Sequence, residues 1–269
     1  MPEGHTLYRL ARDQSAQFAG RPVHVSSPQG RFAAGAALLD GRVLDGVRSY
    51  GKHLLARFGG DTLHVHLGLY GAFTGGPGSP PPPRGALRMR WEADGPDGAG
   101  VWTDLRGPIA CEVLLAPEVR HLLARLGPDP LRPRADGGRA FARIAASRTP
   151  IGALLMDQSV LAGVGNVFRA ELLFRHGVSP FRTGRALDEA LWARMWTDLT
   201  GLMRTGVRLG RIVTTRPEHR SRRRGPAERE DAHYVYRRTG LPCRVCGTEV
   251  ATGVLVGRNL YWCPTCQGN

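Results

Sequence analysis

The sequence predicts an α+β chain of several domains: a helix-flanked β-sandwich or barrel, then a helical domain, then a β-hairpin held by four cysteines. Three observations support this fold class. One amphipathic helix is followed by many short strand-like runs, each broken by Gly, Pro or Asp. After a Pro/Gly-rich segment, the apolar residues take helical instead of alternating spacing. Two Cys-x-x-Cys pairs then lie close to the C-terminus.

The first domain is expected to begin with a helix from His5 to Ala19, whose apolar side chains share one face and which Gly20 ends. Short strands should follow, each rich in β-branched or aliphatic residues. They are predicted at residues 23–25, 42–44, 52–58, 63–67, 87–92 and 109–115. The insert from Gly75 to Gly85 contains four successive prolines and is predicted to be a surface loop.

The Pro/Gly-rich segment marks a domain boundary, and helical periodicity begins after it. Helices are predicted over Ile151 to Gln158, over Asn166 to Arg175, and over a third segment between residues 187 and 202. The segment from Arg216 to Asp231 has six arginines and almost no apolar residues, so it is expected to be mobile. The predicted boundaries are 1–126 for the first domain, 127–138 for the linker, 139–232 for the helical domain and 233–269 for the cysteine module.

The charge composition indicates what kind of molecule the protein binds. Among 269 residues, 37 Lys and Arg stand against 23 Asp and Glu, which leaves a net charge of +14. All but one of the basic residues are Arg, which favours bidentate recognition of phosphate. Codon bias in a GC-rich genome would explain Arg replacing Lys, but it would not explain the surplus over acids. The balance therefore indicates a nucleic-acid-binding protein.

The sequence has no signal-peptide-like start and no run of 18 apolar residues, which predicts a cytoplasmic protein with no membrane partner. Four of the five cysteines cluster at the C-terminus, and Cys111 stands alone in a predicted strand. In a reducing compartment, such clustering favours metal binding over disulfides.

The cysteine module carries the most specific motif. Sixteen residues separate two Cys-x-x-Cys pairs, and two such pairs can complete a tetrahedron around zinc. Because four thiolates leave no open coordination position, the site is predicted to be structural, with one Zn²⁺. Its predicted ligands are Cys243, Cys246, Cys263 and Cys266. The residues between the pairs read as strand, turn and strand, with Arg258 at the tip of the hairpin.

The N-terminal Pro2-Glu3 pair suggests covalent chemistry. The small residue at position 2 allows removal of Met1, which would leave a secondary amine at the chain terminus. An α-amino group titrates near ~8, so a useful fraction is uncharged and nucleophilic at neutral pH. Such an amine can form an iminium with a carbonyl-like carbon, and Glu3 could transfer the proton. Taken alone, however, Pro-Glu is also a common and inert N-terminus.

Three further features each have a structural and a functional interpretation. Asn166 ends a glycine-containing turn and should begin a helix, where backbone N–H groups favour a phosphate; ordinary helix packing would explain the turn equally well. Lys52 follows Gly51 in a predicted turn and is the chain's sole lysine, although a lone lysine is usually solvated. Leu69-Tyr70 lies in a predicted loop, where core packing is the default and insertion into a DNA base stack is the alternative.

His64 and His66 share one face of a predicted strand and superficially resemble a metal-binding pair. No carboxylate partner is evident nearby in the sequence. We therefore expect both histidines to be structural.

Together, Pro2-Glu3-Gly4, Gly51-Lys52, the Gly163-x-Gly165-Asn166 turn and the four-cysteine finger with Arg258 resemble the formamidopyrimidine-DNA glycosylase and endonuclease VIII family. The resemblance spans essentially the whole chain. It implies a helix-flanked β-sandwich, a helix–two-turns–helix domain and a zinc finger. It also implies a base-excision repair enzyme that acts on double-stranded DNA with damaged bases or abasic sites, acting as a monomer.

The resemblance further implies roles for individual residues. Pro2 corresponds to the Schiff-base nucleophile, Glu3 to the general acid, and Lys52 to the residue serving β-elimination and phosphate binding. Asn166 and Arg258 correspond to the clamp on phosphates flanking the lesion, and Arg258 also assists δ-elimination.

Two features of the sequence resemble the endonuclease VIII branch, whose substrates are oxidised pyrimidines. One is the Pro-Glu-Gly start. The other is Leu69-Tyr70-Gly71, which is similar to that branch's wedge, although Gly68 stands where a Gln is expected. Arg125 matches a DNA-contacting arginine of this branch, and the whole chain resembles the actinobacterial endonuclease VIII 1 type.

Two alternatives remain at this point. One is the purine-specific glycosylase of the same family. The other is a non-catalytic protein that binds damaged DNA or regulates through a zinc ribbon, against which the intact Pro2, Glu3 and Lys52 argue.

Overall fold

The computed structural model describes residues 2–95 and 98–268 and divides into two compact units, Met1–Arg125 and Leu126–Asn269. Unit 1 contains the first predicted domain. Unit 2 contains the helices and the cysteine module. Met1, whose removal the sequence predicts, lies outside the described residues.

Unit 1 is a β-sandwich with three helices. One antiparallel sheet has the strand order β2-β1-β7-β8-β6, and the other has the order β3-β4-β5-β9. Its helices are α1 (Gly4–Phe18), α2 (Ala33–Leu39) and α3 (Ala116–Ala124). Its strands are β1 (Pro22–Ser26), β2 (Arg42–Val43), β3 (Gly46–Tyr50), β4 (His53–Phe58), β5 (Asp61–His66), β6 (Ala72–Pro77), β7 (Leu87–Asp94), β8 (Gly100–Arg106) and β9 (Ala110–Leu115).

The core of unit 1 is continuous, because the inner faces of both sheets and one face of α1 meet in a single apolar cluster. Trp91 of β7 lies at its centre and is fully buried. The rings of Phe18 and Phe58 pack edge-on against it at 5.6 and 5.9 Å. Aromatic pairs prefer this arrangement to face-to-face stacking. The predicted sandwich and its N-terminal helix are thereby confirmed.

The proline-rich insert departs from the prediction at its start. Gly75, Gly76 and Pro77 are the last residues of β6 and pair with β8, so the first part of the predicted loop is strand. Pro77 is tolerated because β6 is an edge strand, where a missing N–H breaks no ladder on the open side. The buried Arg90 then holds the insert by donating to the Pro81 carbonyl at 2.8 Å.

Unit 2 contains the helices α4 (Gly137–Ala145), α5 (Ile151–Leu154), α6 (Asn166–Arg175) and α7 (Glu189–Leu209) and the hairpin of β10 (Ala251–Leu255) and β11 (Arg258–Trp262). Helix α6 has the predicted bounds. The helix predicted to reach Gln158 ends at Leu154 instead, and turns occupy the residues up to 165. The last two residues of the predicted linker begin α4, which Asp136 caps by accepting from the Gly138 N–H at 2.8 Å.

The Arg216–Asp231 segment has more support than its sequence indicates. Ala227 is buried and packs with Val213 and Ala232, so the segment has an apolar anchor that its composition does not predict. Asp231 closes the base of the segment by accepting from the Ser221 N–H at 2.9 Å. That the segment is mobile stays a prediction, and it now applies best to the arginine-rich middle of the segment.

Within residues 2–95 and 98–268, no helix is both long and apolar enough to cross a membrane.

Candidate functional sites

Pro2 and Glu3 lie at the start of α1 in unit 1. Glu3 is fully buried and is the N-cap residue, and its carbonyl accepts from the Thr6 N–H at 2.8 Å. Pro2 is partly exposed. The N-terminal end of a helix carries partial positive charge, which disfavours a cation and favours a carboxylate. His5, one residue further on, is buried, and this burial lowers its pKa to about 4, so that its ring is neutral at neutral pH.

Lys52 lies in the two-residue turn that joins β3 to β4. Tyr50 and His53 are directly paired across this hairpin, so Gly51 and Lys52 form the turn. Gly51 has φ 55°, which suits the first position of a type II′ turn and which a glycine adopts without steric cost. The geometry of the turn therefore explains why Gly51 precedes Lys52.

A cluster of three histidines lies beside this turn, and it overturns one expectation from the sequence. His64 Nδ1 is 2.9 Å from Glu112 Oε1, so a carboxylate partner does exist, supplied by β9. His64 Nε2 is in turn 2.9 Å from His53 Nδ1. The cross-strand pairing of β5 with β9 brings His64 opposite Glu112, a contact between residues 48 positions apart in sequence.

Two predicted site residues, Lys52 and Arg125, lie close enough to this cluster for their charges to affect the pKa of His53. The pKa of His53 is lowered to about 3, first by burial and then by the charges of His66, His64, Arg125 and Lys52 in that order. Burial also lowers the pKa of His66, with His64 and Lys52 contributing. Lys52 and Arg125 therefore both lie within electrostatic reach of the His53 ring.

Leu69 and Tyr70 form the tip of an exposed turn after β5. Their side chains are 41% and 88% exposed, so the default expectation of core packing is wrong. The Gly71 N–H donates to the Leu67 carbonyl at 2.9 Å and closes the turn. The Gly68 N–H donates to His66 Nδ1 at 3.1 Å and ties the turn to the histidine cluster.

Gly68 has a local explanation. Its φ of +67° lies in the left-handed region, which L side chains rarely adopt. A Cβ at this position would also lie 2.5 Å from Ile109 Cγ2. A glutamine here would require both a strained backbone and a displaced Ile109 side chain.

In unit 2, Gln158 organises the two turns that lead into α6. Its side-chain amide donates to the Met156 and Val164 carbonyls at 2.9 and 3.0 Å, and its amide oxygen accepts from the Gly163 N–H at 2.9 Å. Gly163 has φ 92°, which requires a glycine. The glycine-containing turn is thus fixed before Asn166 begins the helix.

Asn166 is buried and is joined to the cysteine-module hairpin. Its side-chain amide donates to the Asn259 carbonyl at 2.9 Å. Arg169, one turn further along α6 and fully buried, donates to the same carbonyl at 2.8 Å and also to the Asn166 amide oxygen. These two side chains therefore fix the backbone next to Arg258. The sequence analysis did not single out Arg169. A charged residue on a helix made mostly of apolar residues was the feature that could have indicated it.

Arg258 is exposed and is the first residue of β11. The turn itself consists of Val256 and Gly257, because Leu255 and Arg258 are directly paired. The prediction that Arg258 lies at the tip is therefore corrected by one residue. Val256 has φ 50°, which is unusual for a β-branched side chain.

Glu171 is a second buried charge on α6 that the sequence analysis missed. Its carboxylate accepts from three consecutive backbone N–H groups, those of Tyr234, Val235 and Tyr236, at 2.7 to 2.9 Å. It also accepts from the Thr214 hydroxyl. Successive N–H groups of this kind form an anion-binding concavity. The segment that leads into the cysteine module is thereby bound to the helix.

The four predicted metal ligands do converge. The Sγ atoms of Cys243, Cys246, Cys263 and Cys266 all lie within 4.8 Å of one another. Two of the separations are 3.4 and 3.9 Å. Tetrahedral Zn–S bonds of about 2.3 Å place sulfur atoms about 3.8 Å apart, so this geometry fits zinc. The Cys266 N–H points at the Cys263 sulfur at 3.4 Å, as expected for a thiolate ligand.

Three domain families match the chain and together cover most of it. The formamidopyrimidine-DNA glycosylase N-terminal domain matches residues 1–111, and the formamidopyrimidine-DNA glycosylase H2TH domain matches residues 126–218. The zinc finger found in FPG and IleRS matches residues 240–268.

Curated relatives match most or all of the chain. The chain is 53% identical over 272 residues to Endonuclease 8 1 of Mycobacterium tuberculosis, covering 99% of this chain and 100% of the relative. It is 36% identical to formamidopyrimidine-DNA glycosylase of Thermus thermophilus, covering 86% of this chain and 85% of that one.

Solved structures agree with these matches. The crystal structure of the MutM (Fpg) protein from Thermus thermophilus has a TM-score of 0.76 at 32% identity, covering 100% of this chain and 98% of that one. The Lactococcus lactis Fpg in complex with abasic-site-containing DNA has the same fold, with a TM-score of 0.81 at 20% identity over 99% of this chain and 100% of that one. The chain therefore belongs to the formamidopyrimidine-DNA glycosylase and endonuclease VIII family of base-excision repair DNA glycosylases.

Proposed function

We propose that this protein is a bifunctional DNA glycosylase and AP lyase that removes oxidised bases, chiefly pyrimidines, from double-stranded DNA. The observation that carries the proposal is the N-terminal geometry: Pro2 beside a fully buried Glu3 at the positive end of α1. That end of the helix disfavours an ammonium ion and so favours the uncharged, nucleophilic amine. It also favours a carboxylate at position 3, which can transfer protons to and from the sugar.

The reaction then follows from the amine. The Pro2 nitrogen attacks C1′ of a flipped-out nucleotide and displaces the base, which leaves with the proton lost by the nitrogen. Cleavage of the C1′–O4′ bond, with Glu3 giving a proton to O4′, then opens the sugar ring and leaves an iminium that links the enzyme to the sugar. Loss of the C2′ proton passes its electron pair into the sugar and expels the 3′ phosphate, which is β-elimination. A second elimination expels the 5′ phosphate and leaves a one-nucleotide gap.

In unit 1, Lys52 is proposed to serve β-elimination and to bind phosphate. Arg125 is proposed to contact DNA, which its proximity to the same histidine cluster as Lys52 supports. Leu69 and Tyr70 are proposed to fill the space left by the flipped base, because they present large side chains to solvent on a turn that a backbone hydrogen bond closes.

In unit 2, Asn166 and Arg258 are proposed to bind the phosphates next to the lesion. Arg258 is exposed on a hairpin whose backbone is fixed by buried side chains, which suits a residue that must meet a phosphate in one position. We further propose that one structural Zn²⁺ is held by the four cysteines and that the enzyme acts as a monomer.

The pyrimidine preference is supported by the 53% identity to Endonuclease 8 1. A purine-type specificity is the second candidate, supported by the 36% identity to a formamidopyrimidine-DNA glycosylase. Nicking of a dihydrouracil duplex compared with an 8-oxoguanine duplex, at equal enzyme and salt concentrations, separates the two. We expect faster cleavage of the dihydrouracil duplex.

Borohydride trapping tests the nucleophile. The enzyme, with its N-terminal residue verified as Pro2 by mass spectrometry, should become covalently linked to lesion-containing DNA. An uncleaved N-terminal tag should abolish trapping, because it converts the amine into an amide, whereas the same tag at the C-terminus should not. Undiminished trapping with the N-terminus blocked would exclude Pro2 as the nucleophile.

A further inference from the structure

His66 is the last residue of β5 and comes directly before the exposed turn that presents Leu69 and Tyr70. Its Nδ1 lies 3.1 Å from the Gly68 nitrogen, and the Gly68 N–H can only donate. His66 Nδ1 is therefore unprotonated, and the neutral ring carries its proton on Nε2. A side chain that accepts from the N–H two residues further on closes a local turn, in the way that an asparagine does.

The peptide between Leu67 and Gly68 is held on both of its sides. Its N–H donates to His66 Nδ1, and its carbonyl accepts from the Gly71 N–H at 2.9 Å. Gly68 has φ +67°, and a glycine adopts positive and negative φ about equally readily. The backbone at position 68 therefore does not select one orientation of this peptide by itself. With both bonds present the peptide plane is fixed, whereas with the carbonyl bond alone it can pivot.

The neighbouring strands restrain His66 itself. The Ile109 N–H donates to the His66 carbonyl at 2.9 Å, and His66 is paired directly with Ala110 of β9. On the other side, the ring packs edge-on against His53 of β4, with centroids 4.9 Å apart and an interplanar angle of 73°. The His66 ring is therefore a fixed point against which the turn is held.

The groups around His66 keep its ring neutral. His64 lies on its own strand, His53 on β4 and Lys52 in the turn before β4, while Glu112 of β9 is hydrogen-bonded to His64. The pKa of His66 is lowered from its ordinary value of 6.5, first by burial and then by the charges of His64 and Lys52. The acceptor at Nδ1 is therefore available at neutral pH.

We propose that His66 is a positioning residue for base flipping: through the Gly68 N–H, its Nδ1 holds the turn in the conformation in which Leu69 and Tyr70 enter the base stack. This role rests on the proposed glycosylase function. A turn that is already ordered loses little conformational entropy when it enters the DNA, whereas a turn that pivots must be ordered first. Because His66 acts through the turn, the chemistry at Pro2 does not require it.

His66→Leu removes the acceptor and keeps an apolar side chain against His53. The probe is a duplex with 2-aminopurine next to the lesion, whose fluorescence rises when Leu69 and Tyr70 unstack it. Of a dihydrouracil and an 8-oxoguanine duplex, the one that wild-type enzyme cleaves faster is used. The rate of the fluorescence rise should fall about 3- to 10-fold, the effect of losing one hydrogen bond. His24→Leu, on an exposed histidine of β1, is the matched control and should behave as wild type.

A double-mutant cycle distinguishes this role from general destabilisation. In a variant that carries both Leu69→Ala and Tyr70→Ala, the turn has no large side chains left to position. In that background His66→Leu should slow the rise by a further factor below about 2, because residues that act as a unit are not additive. A His66 that merely stabilised the fold would lower the rate by the same factor in both backgrounds.

His66→Asn is the conservative rescue. Its Oδ1 can accept from the Gly68 N–H in place of the imidazole Nδ1, and it does not titrate. This variant should restore the wild-type rate at neutral pH. Protonation of His66 Nδ1 removes the acceptor, so the wild-type contact is present above the lowered pKa of His66 and is lost as the pH falls below it. The ratio of the wild-type rate to the His66→Asn rate should therefore fall on acidification, and titrating groups common to both enzymes cancel in that ratio.

A wild-type rate in His66→Leu would overturn the proposal. So would equal losses in both backgrounds of the cycle, a His66→Asn variant as slow as His66→Leu, or a ratio that does not change with pH. Failure of the proposed function gives a different result, because wild-type enzyme would then cleave neither lesion duplex and form no trapped intermediate.

Discussion

Unit 1 and the C-terminal part of unit 2 are stabilised in different ways. Unit 1 has one continuous apolar core that joins both sheets to α1. The cysteine module has a small core that includes Ala170 and Phe174 of α6, and polar contacts from Asn166, Arg169 and Glu171 add to its attachment to that helix. A small module with little apolar surface gains stability from metal ligation instead.

The difference affects the placement of the side chains that we propose to be functional. In unit 1 these lie at the chain start and on tight turns, namely Pro2, Lys52 and the Leu69-Tyr70 turn. In unit 2 the exposed Arg258 lies on a hairpin that buried charged side chains hold in place. Unit 1 should therefore tolerate loss of a single polar contact better than the cysteine module does.

The largest expected effect is loss of the metal. Cys263→Ser should abolish zinc binding and disorder the hairpin, because structural zinc in such modules contributes roughly 10 kcal/mol or more of apparent binding free energy. Hydrogen exchange should show lost protection in β10 and β11 with unit 1 unchanged, and DNA affinity should fall with it.

Cys111→Ser is the matched control. Burial raises the pKa of the Cys111 thiol to about 12, so it is a neutral thiol in the β9 strand and no ligand. This variant should keep one zinc per chain. Retention of stoichiometric zinc and hairpin protection in Cys263→Ser would show that the two parts of the molecule do not differ as described.

The sequence predicted the parts of the molecule that local rules determine. The Cys-x-x-Cys spacing fixes the metal site, and apolar periodicity fixes α1 and α6. It failed where partners are distant in sequence. Glu112 meets His64 only through the pairing of β5 with β9, and Arg169 meets Asn259 only through the fold of unit 2.

Two further errors have local physical causes. The Gly75–Gly85 insert was predicted as loop because Gly and Pro are poor strand formers, yet an edge strand tolerates both. Leu69 and Tyr70 were assigned by default to the core because large apolar side chains are usually buried. Their exposure is the kind of exception that indicates a binding surface.

An intermediate effect is expected from an ion pair in unit 2. Asp198 of α7 is hydrogen-bonded to Arg175 at 2.7 Å and to His176 at 3.1 Å. Burial alone would raise its pKa, but these hydrogen bonds and charges outweigh burial and lower the pKa to about 2. A lowered folded-state pKa stabilises the fold above the unfolded value of about 3.9, and this contribution is lost as the pH falls toward 2.

Asp198→Asn should therefore cost about 2 kcal/mol of unfolding free energy above pH 5 and remove the acid dependence between about pH 4 and 2. Denaturant unfolding, monitored by hydrogen exchange in α7, measures both the loss of unfolding free energy and its dependence on pH. Asp13→Asn on the exposed face of α1 is the control, and it should change stability by about 0.5 kcal/mol or less. Equal effects of the two variants would show that burial and the two partners of Asp198 do not strengthen its ion pair.

The smallest expected effect has the opposite sign and concerns the hairpin turn. Val256 has φ 50° and is 74% exposed, so its β-branched side chain is strained without gaining burial. Two-residue turns of this type favour Asn-Gly, because asparagine tolerates the left-handed region. Val256→Asn should stabilise the hairpin by about 1 kcal/mol, seen as slower hydrogen exchange in β10 and β11.

Val254→Asn is the matched control: Val254 is equally exposed, at 73%, but lies in regular strand backbone, where asparagine is unfavourable. This control should destabilise the hairpin slightly. If both asparagine variants shift protection in the same direction, the turn is not strained, and the buried contacts on the Asn259 carbonyl together with the metal account for the stability of the hairpin.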